Sequence, residues 1–207
     1  MNLKDYEYYR TDLGVLYHGD CLEIMPMLEP VDLVLTDPPY GLNSKMQGGT
    51  WGKAYSNGDM LKWDYVVEQG EFDKILNMGN FQIIWGANNY TTPPSRCWLI
   101  WQKPFLNTLS EFEMAWTNID KPSKIYKSQR VSKNNGHPTE KPIGLMTYCL
   151  EFSKTSGIAL DPFLGSGTTA IACERLNRRW IGIEIEEKYC EIAAKRIEKE
   201  NQQLKLF

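Results

Sequence analysis

The chain has 207 residues, 42% of them hydrophobic, and a formal net charge of -3 from 23 Lys and Arg against 26 Asp and Glu. That length suits one well-filled α/β domain, residues 1–207, and excludes two full ones. No apolar stretch approaches the ~20 residues of a membrane helix and MNLKDYEYYR lacks a signal-peptide core, so the expected setting is the cytoplasm with no membrane partner.

Apolar runs predict strands near 15–18, 32–36, 82–86, 97–101, 111–116, 158–160 and 180–185. Helical patterns fall near 20–28, 60–78, 140–155, 168–177 and 186–200. Their alternation predicts an α/β fold with a doubly wound, mostly parallel, Rossmann-like sheet of seven strands. The last helix mixes charges with Ile192, Ala193 and Ile197 and reads as an amphipathic cover for the sheet.

The run Val31 to Leu35 reads as a buried strand and leads into Asp37-Pro38-Pro39-Tyr40. Each proline fixes its φ and donates no backbone hydrogen bond, so this turn offers acceptors without donors at the sheet's edge. A carboxylate beside proline-flanked carbonyls suits both hydrogens of a planar amino group, and Tyr40 suits stacking on the ring that bears it. A flipped nucleobase is such a ligand.

Residues 42–60 follow, rich in Gly, Asn and Ser, and read as a mobile lid whose Trp51 and Tyr55 suit contact with DNA bases. Asn88 and Asn89 end a strand on polar groups and are candidates for the base pocket. Residues 118–139 form a short recognition region: Lys121, Lys124, Lys127, Arg130 and Lys133 supply a local basic patch that the overall charge hides. The same pattern also fits a solvated loop.

Downstream, Gly157 to Phe163 reads as a strand running into Leu164-Gly165-Ser166-Gly167-Thr168-Thr169 and then a helix that Thr168 or Thr169 would cap. Gly165 and Gly167 let backbone approach a ligand closely. The phosphate-binding GxxxxGK[ST] pattern is not met, so the loop points to a nucleoside-type cofactor. Trp180 to Ile185 is another buried strand that delivers Glu184, an acid placed to accept from ribose hydroxyls. Five dispersed cysteines read as reduced core residues, and with two histidines and no CxxC pair no metal is expected.

Gly19-Asp20-Cys21, DPPY, HPTEKP (His137 to Pro142) and DPFLGSGTT (Asp161 to Thr169) occur in that order, and across residues 14–198 the chain resembles the amino-group DNA methyltransferases that use S-adenosylmethionine. It is most similar to the permuted beta class, in which the DPPY half precedes the cofactor half. The resemblance implies a methyltransferase sheet and a cofactor site drawn from Asp20, Cys21, Lys141, Asp161, Phe163, Gly165, Ser166, Gly167, Thr168 and Glu184. It also implies that Asp37, Pro38, Pro39 and Tyr40 form the catalytic turn, with the Asp37 carboxylate and Pro38 carbonyl accepting from the amine. The expected substrate is adenine in double-stranded DNA, because cytosine enzymes of the family more often carry serine in place of this Asp. Cytosine, RNA, a protein amide and an inactive DNA binder are the competing readings. The short recognition region suggests a small target sequence or a homodimer whose second subunit assists.

Overall fold

Alternate residues of the central strands divide between two cores, and that division places helices on both faces of one sheet. The computed structural model describes residues 2–39, 67–103, 110–127 and 140–204. Its strands are β1 Glu7–Arg10, β2 Gly14–His18, β3 Val31–Thr36, β4 Gly79–Trp85, β5 Cys97–Gln102, β6 Phe112–Thr117, β7 Lys124–Lys127, β8 Ala159–Asp161 and β9 Trp180–Glu184. The α-helices among the described residues are α1 Cys21–Ile24, α2 Gln69–Leu76, α3 Ile143–Ser153, α4 Thr168–Arg175 and α5 Glu187–Leu204. The first core joins Leu16, Leu33, Leu35, Ile83 and Trp85 to α3, α4 and α5. The second joins Val15, Tyr17, Val34, Ile84 and Ile183 to α1 and α2. A period of two along each strand thus gives each face its own apolar layer.

The nine described strands lie in the order β1-β2-β9-β8-β3-β4-β6-β5-β7. Five of the eight pairings are parallel, and β6 runs against both of its neighbours. The seven expected strands are present, but the count of seven is corrected to nine, because β1 and β7 are added at the two edges. Both are four residues long and carry charged side chains at an edge, so neither shows the long apolar run that marks a central strand. Part of the helix expected at 60–78 is present as α2; the rest lies outside the described residues.

At the centre of the sheet, β3 is buried from Val31 to Thr36 except for the half-buried Asp32, with β8 on one side and β4 on the other. Strand β9 passes close beneath the glycine loop: a Cβ on Gly182 would stand 2.5 Å from Leu164 Cδ2. Leu164 is itself 5% exposed and its N–H donates to the Ile183 carbonyl. Only a residue without a side chain allows that approach. Gly182→Ala is therefore expected to displace Leu164 and cost ~1–3 kcal/mol of stability, read as a lower urea midpoint.

Candidate active site

Because β2, β3, β8 and β9 are mutually parallel, their carboxyl ends open on one edge of the sheet. They deliver Gly19-Asp20, Asp37, Asp161 and Glu184 there. The antiparallel β6 begins at this edge, which brings Glu113 to it, and β5 ends there just before Lys103. A parallel sheet interrupted by one reversed strand thus collects side chains from both halves of the chain.

Asp161 is 4% exposed and accepts from Thr36 Oγ1 at 2.7 Å, Thr169 Oγ1 at 2.6 Å and the Phe163 N–H at 3.1 Å. Burial pushes its carboxyl up to about 6, against the pull of those three donors. It joins the residue before Asp37 to the glycine loop and to the first turn of α4. Thr169 sits inside α4 and spends its hydroxyl on Asp161, while Thr168 Oγ1 reaches Glu140 Oε1 at 3.4 Å. The expected threonine cap is corrected: the N-cap is Gly167, at φ +87°, with no side-chain cap.

In the loop itself, Gly165 has φ +54°, a left-handed geometry that disfavours other residues. Its N–H donates to Glu184 Oε2 at 2.8 Å, and the Glu186 N–H donates to Oε1 at 2.9 Å. Glu184 is 8% exposed, and burial raises its carboxyl from 4.5 to about 7 against those two backbone donors. The Gly19 N–H donates to the Glu184 carbonyl at 3.0 Å, which sets Asp20 beside Glu184; Asp20 caps α1 through the Leu22 N–H. Cys21 is buried beneath that turn, and desolvation drives its thiol up to about 12. Ser166 is held by Arg196 of α5, whose guanidinium donates to its carbonyl and hydroxyl at 2.6 Å and to Glu140 Oε1 at 2.6 Å. Phe163 is half-buried against the second core.

Asp37 follows β3 directly, and its side chain is 21% exposed. Its Oδ2 accepts from the Lys141 ammonium, while Oδ1 is buried without a hydrogen-bond partner. Lys141 Nζ also lies 3.0 Å from Glu113 Oε2, and the other oxygen of Glu113 pairs with Lys103. Burial raises the Asp37 carboxyl and Glu113 adds to the rise, with Lys141 opposing. For Glu113 burial is outweighed by Lys141 and Lys103, which hold it down at about 2. Glu113 and Lys103 were not legible in the sequence, since the reversal of β6 brings Glu113 here and the end of its partner β5 brings Lys103.

Pro38 is buried, and the Pro39 carbonyl accepts from the Tyr90 hydroxyl, whose ring stacks on Phe72 at 4.3 Å. Asn89 bonds back to Gly86 within its own turn, and Asn88 is exposed, so neither lines a buried pocket. Of the basic residues, Lys121 donates to the Phe152 carbonyl and lies over its ring at 4.5 Å, which turns it toward α3. Lys124 and Lys127 are exposed on β7, and strand alternation puts them on opposite faces. Tyr40, Trp51, Tyr55, Arg130 and Lys133, the lid at 42–60 and most of the recognition region lie outside the described residues. Among the described residues no group of three His, Cys, Asp or Glu could hold a metal, and no helix is long and apolar enough to cross a membrane.

Comparison with known proteins agrees with this arrangement. Type II methyltransferase M2.DpnII of Streptococcus pneumoniae is 28% identical over 94% of this chain and 93% of its own length. Type II methyltransferase M2.MboI of Moraxella bovis is 29% identical over 87% and 86%. Among solved structures, the M1.HpyAVI complex with S-adenosylmethionine superposes with a TM-score of 0.62 at 23% identity, covering 89% of this chain and 99% of that one. PvuII DNA methyltransferase, described as cytosine-N4-specific, gives 0.62 at 17% identity over 95% and 93%. Residues 67–195 match the family described as DNA methylase, and the chain belongs to that family.

Proposed function

We propose that the chain transfers a methyl group from S-adenosylmethionine to the exocyclic amino group of an adenine turned out of double-stranded DNA. The observation that carries this reading is Asp37 Oδ1, a buried acceptor without a partner at the edge where the glycine loop and Glu184 also lie. An unsatisfied buried carboxylate oxygen is costly and marks a place where a donor is to arrive.

The residues present fit the cofactor. Glu184 and Asp20 offer carboxylates for ribose hydroxyls and for an adenine amino group, and each engaged oxygen keeps a further lone pair. Gly165, Ser166, Gly167 and Thr168 form the turn beneath, beside Phe163, and the buried Glu140 Oε2, also without a partner, is an acceptor next to Thr168 suited to an ammonium. When bound, S-adenosylmethionine supplies an electrophilic methyl on a sulfonium.

The chain's own residues prepare the nucleophile. An exocyclic amine is unreactive because its lone pair spreads into the ring. Acceptors for both N–H bonds, Asp37 Oδ1 and the Pro38 carbonyl, favour a pyramidal nitrogen with a localised lone pair. Tyr40 stacks on the extruded base and fixes its plane. Positioning supplies much of the acceleration. Burial raises the proton affinity of Asp37 above that of an ordinary carboxylate, which suits the same oxygen to hold the proton the amine releases.

Lys124, Lys127, Arg130, Lys133, Trp51 and Tyr55 are the proposed DNA contacts, with a second subunit of a homodimer completing a small recognition surface. The described cysteines are free and buried, in keeping with work in the cytoplasm. The Type II relatives support a place in a restriction-modification pair.

Labelled methyl transfer to unmodified duplex DNA, followed by nucleoside chromatography, tests the reading. Methyladenine is expected; methylcytosine would overturn the base assignment, and absence of label from DNA would overturn the reading. Asp37→Ala is expected to lower kcat by on the order of 10²–10³ while calorimetric cofactor binding persists. Gly165→Val is expected to abolish cofactor binding, because φ +54° disfavours a β-branched residue.

Glu184 also gives a pH signature. Its folded value of about 7 exceeds 4.5, so its contribution to stability is complete below pH 4.5 and lost as pH rises through about 7. The cofactor-free wild type is therefore expected to lose Tm relative to Glu184→Gln between pH 5 and pH 8, by thermal denaturation.

A further inference from the structure

The side chain of Lys141 is 4% exposed and its ammonium lies between two carboxylates from separate parts of the fold. It donates to Asp37 Oδ2 and stands 3.0 Å from Glu113 Oε2, while Lys103 grips the other oxygen of Glu113. The order of charges is Lys103, Glu113, Lys141, Asp37. A buried ammonium shared in this way is costly to redirect, because turning it leaves an uncompensated carboxylate. The arrangement occupies one oxygen of Asp37 and leaves the other buried without a partner.

We infer that Lys141 is a positioning residue for methyl transfer: anchored by Glu113 and Lys103, it fixes Asp37 through Oδ2 so that Oδ1 meets the amine, and it acts through Asp37 rather than by binding the cofactor. This rests on the proposed methyl transfer. Among the described residues, the charged groups that face Asp37 are Lys141 from the segment before α3, Glu113 from β6, Lys103 after β5 and Asp161 from β8. Lys141 is the one that pulls its carboxyl down most strongly against burial.

Three measurements on Lys141→Met and Lys141→Arg decide the matter: S-adenosylmethionine Kd by calorimetry, kcat on duplex DNA at saturating cofactor, and the Asp37 carboxyl titration by ¹³C NMR without cofactor, assigned with Asp37→Asn. Lys141→Met is expected to lower kcat at least about tenfold, keep Kd within about twofold and move the Asp37 titration to higher pH. Lys141→Arg is expected to restore the titration and part of the rate. A Kd loosened about tenfold or more with kcat unchanged, or an unmoved Asp37 titration, overturns the inference.

Should Lys141→Met fail to fold, Glu113→Gln carries the same test. It is expected to reduce kcat with Kd unchanged, and wild-type kcat in that variant overturns the role of the anchor. A wild-type chain that leaves DNA unlabelled defeats the underlying reading, whereas the NMR titration still decides whether Lys141 governs Asp37.

Discussion

The Asp161 carboxylate holds the two halves of the site together. One oxygen takes the Thr36 hydroxyl and the Phe163 N–H, and the other takes the Thr169 hydroxyl, so one buried group fixes the end of β3, the start of the glycine loop and the first turn of α4. Burying a carboxylate without a cation is costly, and three donors offset part of that cost. What results is a fixed distance between the residue that precedes Asp37 and the loop that includes Gly165.

Around that tie, charge is arranged with two different outcomes. Glu184 and Asp161 are raised because burial outweighs the pull of their neutral donors, whereas Glu113 is lowered because two lysines outweigh its burial. Asp37 is salt-bridged like Glu113, yet burial leaves it raised like the first pair. The gradient across one sheet edge keeps an acceptor at Asp37 whose proton affinity is higher than a surface carboxylate's. Backbone donors and cations thus do separate work: the former hold Glu184 against the glycine loop and the latter pair with Asp37 and Glu113.

Much of this was legible in the sequence wherever function is local. DPPY at a strand end, the glycine turn and Glu184 each announce themselves within a few residues, since turn geometry and strand burial are written in neighbouring side chains. The parts that were not legible depend on long-range pairing. Glu113 is an unremarkable acid in a strand until β6 is seen to run backwards, and Arg196 is one more charge on an amphipathic helix until it is found on Ser166 and Glu140. Lys121 sits in a basic stretch yet spends its charge on the carbonyl and ring of Phe152, a residue 31 positions away. The two threonines after Gly167 satisfy the composition of a cap, but tertiary acceptors claim at least one of them.

The pairing of distant segments also bears on how the protein comes into being. Thr36 and Asp161 are 125 residues apart, and Lys141 is 104 residues from Asp37. Strand β3 lies beside β8, and β2 beside β9, so the centre of the sheet waits for the last third of the chain. Loop closure over such separations slows folding and leaves apolar strands uncovered meanwhile. A ribosome-bound chain that has emerged only as far as β7 holds the Asp37 turn without Lys141, the glycine loop or Glu184. Methylating competence therefore arrives late in synthesis and all at once, and a truncated product would be inert toward DNA while still exposing the strand edge that β8 should cover.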